Sequence, residues 1–373
     1  MRRSPGSRLG LRDLSHLRLG KVRVSTGQLE LPVLAPAPRQ LNVLDRRVRG
    51  TTFLELSPRS VLNSSASTRM GFWSVNPYVG CEFGCTYCYA RDTHRYAVER
   101  ASASSDVMSD DAAAPMPPWL AFERRILVKT TAPEVLARTL DPARLNGQSL
   151  VIGTATDPYQ PAERRFRITR RLLEVLLRFR DLSIGIITKS PLIARDAALL
   201  RSLSERHEVA INLSVATVDR VLARRLEPRS PVPEARLRAL GRLSAAGVYG
   251  GLLIAPIVPG ITDDRPGLGR LMAAGKEVGA RYVVGSALRL GPAARRRFLP
   301  HLEREFPELA ERYRRHFAGG EGVSAEYQAA LTRRLRSLQE EHGYPLDEGY
   351  RRRRQLEGPA SRMGVTPEQP LLL

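Results

Sequence analysis

The stretch Asn76-Pro77-Tyr78-Val79-Gly80-Cys81-Glu82-Phe83-Gly84-Cys85-Thr86-Tyr87-Cys88-Tyr89 holds every cysteine of the 373-residue chain. The thiols follow Cys-x3-Cys-x2-Cys spacing, just after a β-like run over residues 71–78. That order puts them on a loop at the C-terminal end of a strand. Three thiolates on one short loop can hold three irons of a cubane [4Fe–4S] cluster, which usually takes four cysteines. No fourth cysteine exists, so one iron is left without a cysteine ligand, and an open coordination position is where a substrate or cofactor binds. Gly80 and Gly84 let the backbone wrap closely and take positive φ. A disulfide framework would want paired cysteines spread along a secreted chain. A zinc site would have to recruit His94, at a spacing unlike that of paired Cys-x2-Cys knuckles.

Outward from this loop, short apolar runs alternate with amphipathic helical patterns. After residues 71–78, strands are expected over 125–129, 149–153, 183–188, 209–215, 250–257 and 281–286. Helices are expected over 133–140, 169–179, 192–204, 218–226, 233–246 and 265–278. Ile- and Val-rich strands each followed by a helix imply parallel βαβ units. The fold class is therefore α/β, a partial (β/α)6 TIM-like barrel over residues 66–290, with its chemistry on the loops after the strands. A doubly wound open sheet is the competing architecture. Residues 1–65 read as an irregular basic extension, 101–118 as an exposed loop, 291–345 as a charged helical region and 346–373 as a disordered tail.

Lys and Arg total 59 against 38 Asp and Glu, a formal net charge of +21. Such an excess attracts polyanions, nucleic acid first among them, and the arginine runs 295–297 and 351–354 would steer one. No apolar stretch approaches the roughly 18 residues of a membrane span, and no apolar segment follows the basic N-terminus as in a secretory signal. A cytoplasmic monomer is expected.

The Cys-x3-Cys-x-aromatic-Cys loop after a first barrel strand resembles the signature of the radical S-adenosylmethionine superfamily. The segment Val151-Ile152-Gly153-Thr154-Ala155-Thr156-Asp157-Pro158-Tyr159-Gln160-Pro161-Ala162-Glu163 is similar to a block of the spore photoproduct lyase-like branch, the group called DNA repair photolyases. The resemblance implies a [4Fe–4S] cluster on Cys81, Cys85 and Cys88, and S-adenosylmethionine chelated to its open iron. It also implies reductive cleavage to a 5′-deoxyadenosyl radical, with the electron from a donor such as flavodoxin or ferredoxin. By the same resemblance Tyr87 lies against the adenine, Thr156 and Asp157 meet the amino group, and Lys189 pairs with the methionyl carboxylate. Ser214 contacts the carboxylate or ribose, residues 253–263 run along the adenine, and Tyr89 relays hydrogen. As residues alone, Asp157 and Thr154 also suit a capped βα turn and Ser214 a helix cap.

One departure matters. The lyase returns a hydrogen atom from an additional cysteine, and the matching position here is Thr154. A hydroxyl holds its hydrogen too strongly to replace a thiol, so the resemblance does not extend to thymine-dimer repair. The missing cysteines also exclude a second Cys-ligated cluster. Three readings remain open at this point: hydrogen abstraction from a nucleic acid, the same chemistry on a protein or small molecule, or a nucleic-acid-binding protein with a structural iron–sulfur or zinc site.

Overall fold

The computed structural model describes residues 19–20, 33–34, 43–46, 50–68, 70–93 and 116–346. His94, the arginine run 351–354, most of the 101–118 loop and all but the first residue of the 346–373 tail lie outside the described residues.

Six parallel strands carry the molecule: β1 (Trp73–Val75), β2 (Leu150–Ile152), β3 (Ser183–Thr188), β4 (Glu208–Ser214), β5 (Gly250–Ile257) and β6 (Val283–Ala287). They lie in sequential order, with Leu62–Asn63 antiparallel at the β1 edge. The register aligns Val75 with Ile152, Ile152 with Ile186, and Ile186 with Ile211. These side chains are 0–1% exposed, because the strands are covered on both faces, which is why they read as continuous apolar runs.

Helices pack outside: α1 (Pro118–Arg124), α2 (Ala132–Thr139), α3 (Ile168–Leu176), α4 (Ala197–Ser204), α5 (Arg220–Leu226), α6 (Pro233–Ala245) and α7 (Arg265–Glu277). In α3, Ile168, Leu172, Val175 and Leu176 form the buried stripe that an amphipathic helix turns to its sheet. Asp219 caps α5 by accepting from the Val221 and Leu222 amides at 2.8 and 2.9 Å, which stabilises a helix start by about 1 kcal/mol. Past the barrel come α8 (Pro292–Glu305), α9 (Pro307–Ala318) and α10 (Ala325–Glu341). The result is a partial TIM-like barrel, and the doubly wound alternative falls away.

Three local expectations differ from the structure. The run over 71–78 is interrupted at Asn76-Pro77, because proline cannot donate to the ladder. Beyond that break, Tyr78–Val79 leaves the barrel and pairs antiparallel with Arg125–Val128. Arg125–Val128 thus belongs to a second, four-stranded sheet rather than the barrel. Finally, the segment expected to be irregular supplies that sheet with Val43–Arg46 and Thr52–Glu55. Phe53 is fully buried there, its ring 5.4 Å from that of Phe166.

Candidate active site

The cysteine loop leaves β1 at the C-terminal end of the barrel and is tied down residue by residue. Gly80 and Gly84 take φ of 87° and 55°, as the tight turns require. A Cβ on Gly84 would strike the Arg229 guanidinium and lie 2.7 Å from Glu123 Oε2. The Gly80 carbonyl accepts from Thr156 Oγ1 at 2.6 Å and Gln160 Nε2 at 3.2 Å. The Glu82 amide donates to Gln160 Oε1 at 2.9 Å, and its carboxylate accepts from the Ala162 amide at 2.7 Å. The Cys85 carbonyl accepts from Arg91 at 2.7 Å, and Arg91, wholly buried, pairs with Glu123 at 2.5 Å. Ser230 Oγ lies 3.3 Å from Cys85 Sγ.

In front of the loop is a cavity lined by all three cysteines. It is also lined by Thr154, Asp157, Lys189 and Ser214, from the ends of β2, β3 and β4. Lys189 Nζ donates to Ser214 Oγ at 2.6 Å and the Ala255 carbonyl at 3.4 Å. Asp157 Oδ1 accepts from the Tyr159 amide (2.9 Å) and Thr188 Oγ1 (2.7 Å), and Oδ2 from the Lys189 amide (2.7 Å). These three bonds leave acceptor capacity on the carboxylate. Burial raises the Asp157 carboxyl above its ordinary range, and the same bonds oppose it. Tyr89 donates to the Thr154 carbonyl. A neighbouring cavity is lined by Tyr87, Tyr89, Lys189, Ala255 and Pro256 with the end of β6.

Cys81, Cys85, Cys88, Tyr89, Asp157, Lys189 and Ser214 all line this one cavity. Tyr87 lines the neighbouring cavity, alongside residues 255–256. Thr156 also reaches the first cavity, but its hydroxyl is engaged with Gly80 and Gln160. These bonds brace the cysteine loop and leave one acceptor lone pair on the hydroxyl.

Sequence reasoning missed a buried charge network behind the loop. Glu227 accepts from Tyr87 and pairs with Arg236, and its Oε1 is 3.7 Å from Lys189 Nζ. Burial would raise the Glu227 carboxyl, but Arg236 and then Lys189 overcome it and hold it below the usual carboxylate range. Arg236 lies four and seven residues before Leu240 and Leu243 on the buried face of α6. An arginine on an apolar stripe was the available signal.

The donor set fits an iron–sulfur cluster. Burial pushes the Cys85 thiol up to about 12, with Glu227 adding to it; metal ligation is what makes a buried thiolate stable. Among the described residues no three His, Cys, Asp or Glu side chains close on a single-ion site.

Comparison with known proteins agrees. Residues 75–269, just over half of the chain, match the Radical SAM superfamily model. The uncharacterized protein Rv2578c of Mycobacterium tuberculosis is 31% identical over 291 residues, spanning 78% of this chain and 80% of its own. The uncharacterized protein MJ0683 of Methanocaldococcus jannaschii is 26% identical over 64% of this chain and 77% of its own. Spore photoproduct lyase complexed with dinucleoside spore photoproduct shares the fold with a TM-score of 0.53 at 16% identity, covering 78% of this chain and 79% of that one. A lyase variant with bound S-adenosylmethionine gives 0.55 at 15%. The motif, the cavity and these matches agree that this chain is an enzyme of the radical S-adenosylmethionine superfamily.

Proposed function

We propose that Cys81, Cys85 and Cys88 hold one [4Fe–4S] cluster, and that S-adenosylmethionine binds across the cavity facing them. When bound, the reduced cluster supplies one electron that cleaves the sulfonium to methionine and a 5′-deoxyadenosyl radical, which abstracts a hydrogen atom from the substrate. The observation that carries this reading is that one cavity is lined by all three thiols together with Asp157, Lys189 and Ser214. Asp157 offers a carboxylate to an ammonium group. Lys189 and Ser214, already 2.6 Å apart, offer a cation and a hydroxyl to a carboxylate. Tyr87 and residues 255–256 form an apolar slot suited to a flat base. Tyr89, pinned to the Thr154 carbonyl, is the only hydrogen-bearing phenol or thiol besides the cysteines on the lining, and it takes the hydrogen-relay position.

The +21 charge supports a polyanionic substrate, nucleic acid foremost. Repair of a thymine dimer is not part of the proposal, because no thiol stands at Thr154. The test is anaerobic reconstitution, reduction with dithionite and quantification of 5′-deoxyadenosine from S-adenosylmethionine, with Cys85→Ala as background. Product above that background is expected. A loaded protein that never forms 5′-deoxyadenosine would overturn the reading.

A further inference from the structure

An open groove between α5 and α8 shares no lining residue with the cavity. Five arginines line it, Arg220, Arg224, Arg225, Arg297 and Arg304, against one carboxylate, Glu305. Glu305 serves both Arg225 (3.2 Å) and Arg304 (3.0 Å). Arg297 reaches Glu123 at 3.3 Å, a carboxylate that Arg91 and Arg229 also use. Arg224 donates to the backbone carbonyls of Pro228 and Ser230, at 2.7 and 3.4 Å. Exposed Arg220 has no acidic partner among the described residues. Five guanidiniums against one lining carboxylate leave the groove net positive, which favours an anionic partner.

Two features decide what that partner is. Val221, 72% exposed, stands among the arginines, and the lining has no exposed aromatic ring for a base to stack on. An exposed apolar side chain ringed by arginine suits a protein partner better than a nucleic-acid strand. The segment at the end of α5 also bonds to the cysteine loop. The Leu226 carbonyl, at the end of α5, accepts from the Thr86 amide and hydroxyl at 3.2 and 2.9 Å. Pro228 of the groove is two residues from Ser230, whose hydroxyl lies 3.3 Å from Cys85 Sγ. The 226–230 segment thus contacts the cysteine loop and, through Pro228, lines the groove.

We infer that this groove docks the one-electron donor, an acidic carrier protein with a flavin or iron–sulfur centre. The inference rests on the cluster assignment above. In the step the carrier loses one electron and the cluster gains it; no bond forms or breaks and no proton moves.

The test compares the full chain with its Arg220→Glu/Arg224→Glu variant, using a bacterial flavodoxin as probe. Affinity is measured by calorimetry on both apo and loaded protein, so a failed cluster assignment shows separately from a failed groove. On loaded protein, bleaching of cluster absorbance by reduced flavodoxin is compared with bleaching by dithionite. The flavodoxin Kd should rise at least tenfold at low salt and converge with wild type near 1 M, where screening acts within about 3 Å. The flavodoxin-to-dithionite rate ratio should fall. Arg304→Glu repeats the comparison should the double variant fold poorly. Unchanged flavodoxin affinity overturns the inference, as does loss of affinity for a single-stranded oligonucleotide alone.

Discussion

Glu227→Gln isolates the network behind the cysteine loop. The wild-type carboxylate and Arg236 are each 2% exposed, and the same carboxylate accepts from Tyr87 and lies 3.7 Å from Lys189. Glutamine keeps the shape and one acceptor oxygen but removes the charge. Arg236 keeps its bonds to the Pro231 and Ser214 carbonyls, at 2.8 and 2.9 Å, yet its charge is left buried without a counter-ion. Removing one partner of such a pair costs about 3–5 kcal/mol, and the retained acceptor puts the expected loss near the lower end, about 3 kcal/mol. Urea unfolding followed by circular dichroism reads it. Adding Arg236→Met should recover at least about 1 kcal/mol relative to Glu227→Gln alone, because the orphaned charge is gone. A single-variant cost below about 1 kcal/mol, or costs that simply add, would refute the assignment of this pair as the brace of the loop.

Two further outcomes follow from the geometry. Gly153, with φ of 98°, would place an alanine Cβ 2.5 Å from the Ile187 carbonyl and 2.6 Å from Pro158 Cδ. Gly153→Ala should therefore lower the unfolding midpoint and the iron bound per chain together; unchanged iron content would contradict the close approach. His207 accepts from the Leu182 amide at 3.2 Å and faces the Leu176 carbonyl at 3.0 Å, an arrangement that needs the neutral ring. Burial lowers its affinity for a proton below the ordinary 6.5. The unfolded chain then binds the proton first, so the His207 contribution is present above about pH 6.5 and is lost as pH falls below it. The stability difference between wild type and His207→Leu should shrink on acidification, and a constant difference would exclude this.

The barrel was legible because its strands are buried on both faces: residues 184–187 and 250–257 are apolar throughout, and their strands fall where expected. The site was legible where chemistry and strand ends coincide, as at Lys189 and Ser214. Tyr78–Val79 was not, because a two-residue strand carries no periodicity and only Pro77 marks the switch of sheet. Thr52–Glu55 carries just two buried side chains, too few for a pattern. The partners of Thr156 and Glu227 were hidden for another reason. A hydroxyl reads the same whether it meets a ligand or a carbonyl 76 residues away, and the Glu227–Arg236 pair closes across a proline-punctuated loop.

The central claim is that three thiols hold a cluster whose remaining iron is free to take S-adenosylmethionine. The most direct measurement is electron paramagnetic resonance of the reconstituted, reduced protein before and after the cofactor is added. The account predicts a reduced-cluster signal whose shape changes on addition and which is absent from Cys85→Ala. A signal indifferent to S-adenosylmethionine, or stoichiometric zinc in place of iron, would contradict it.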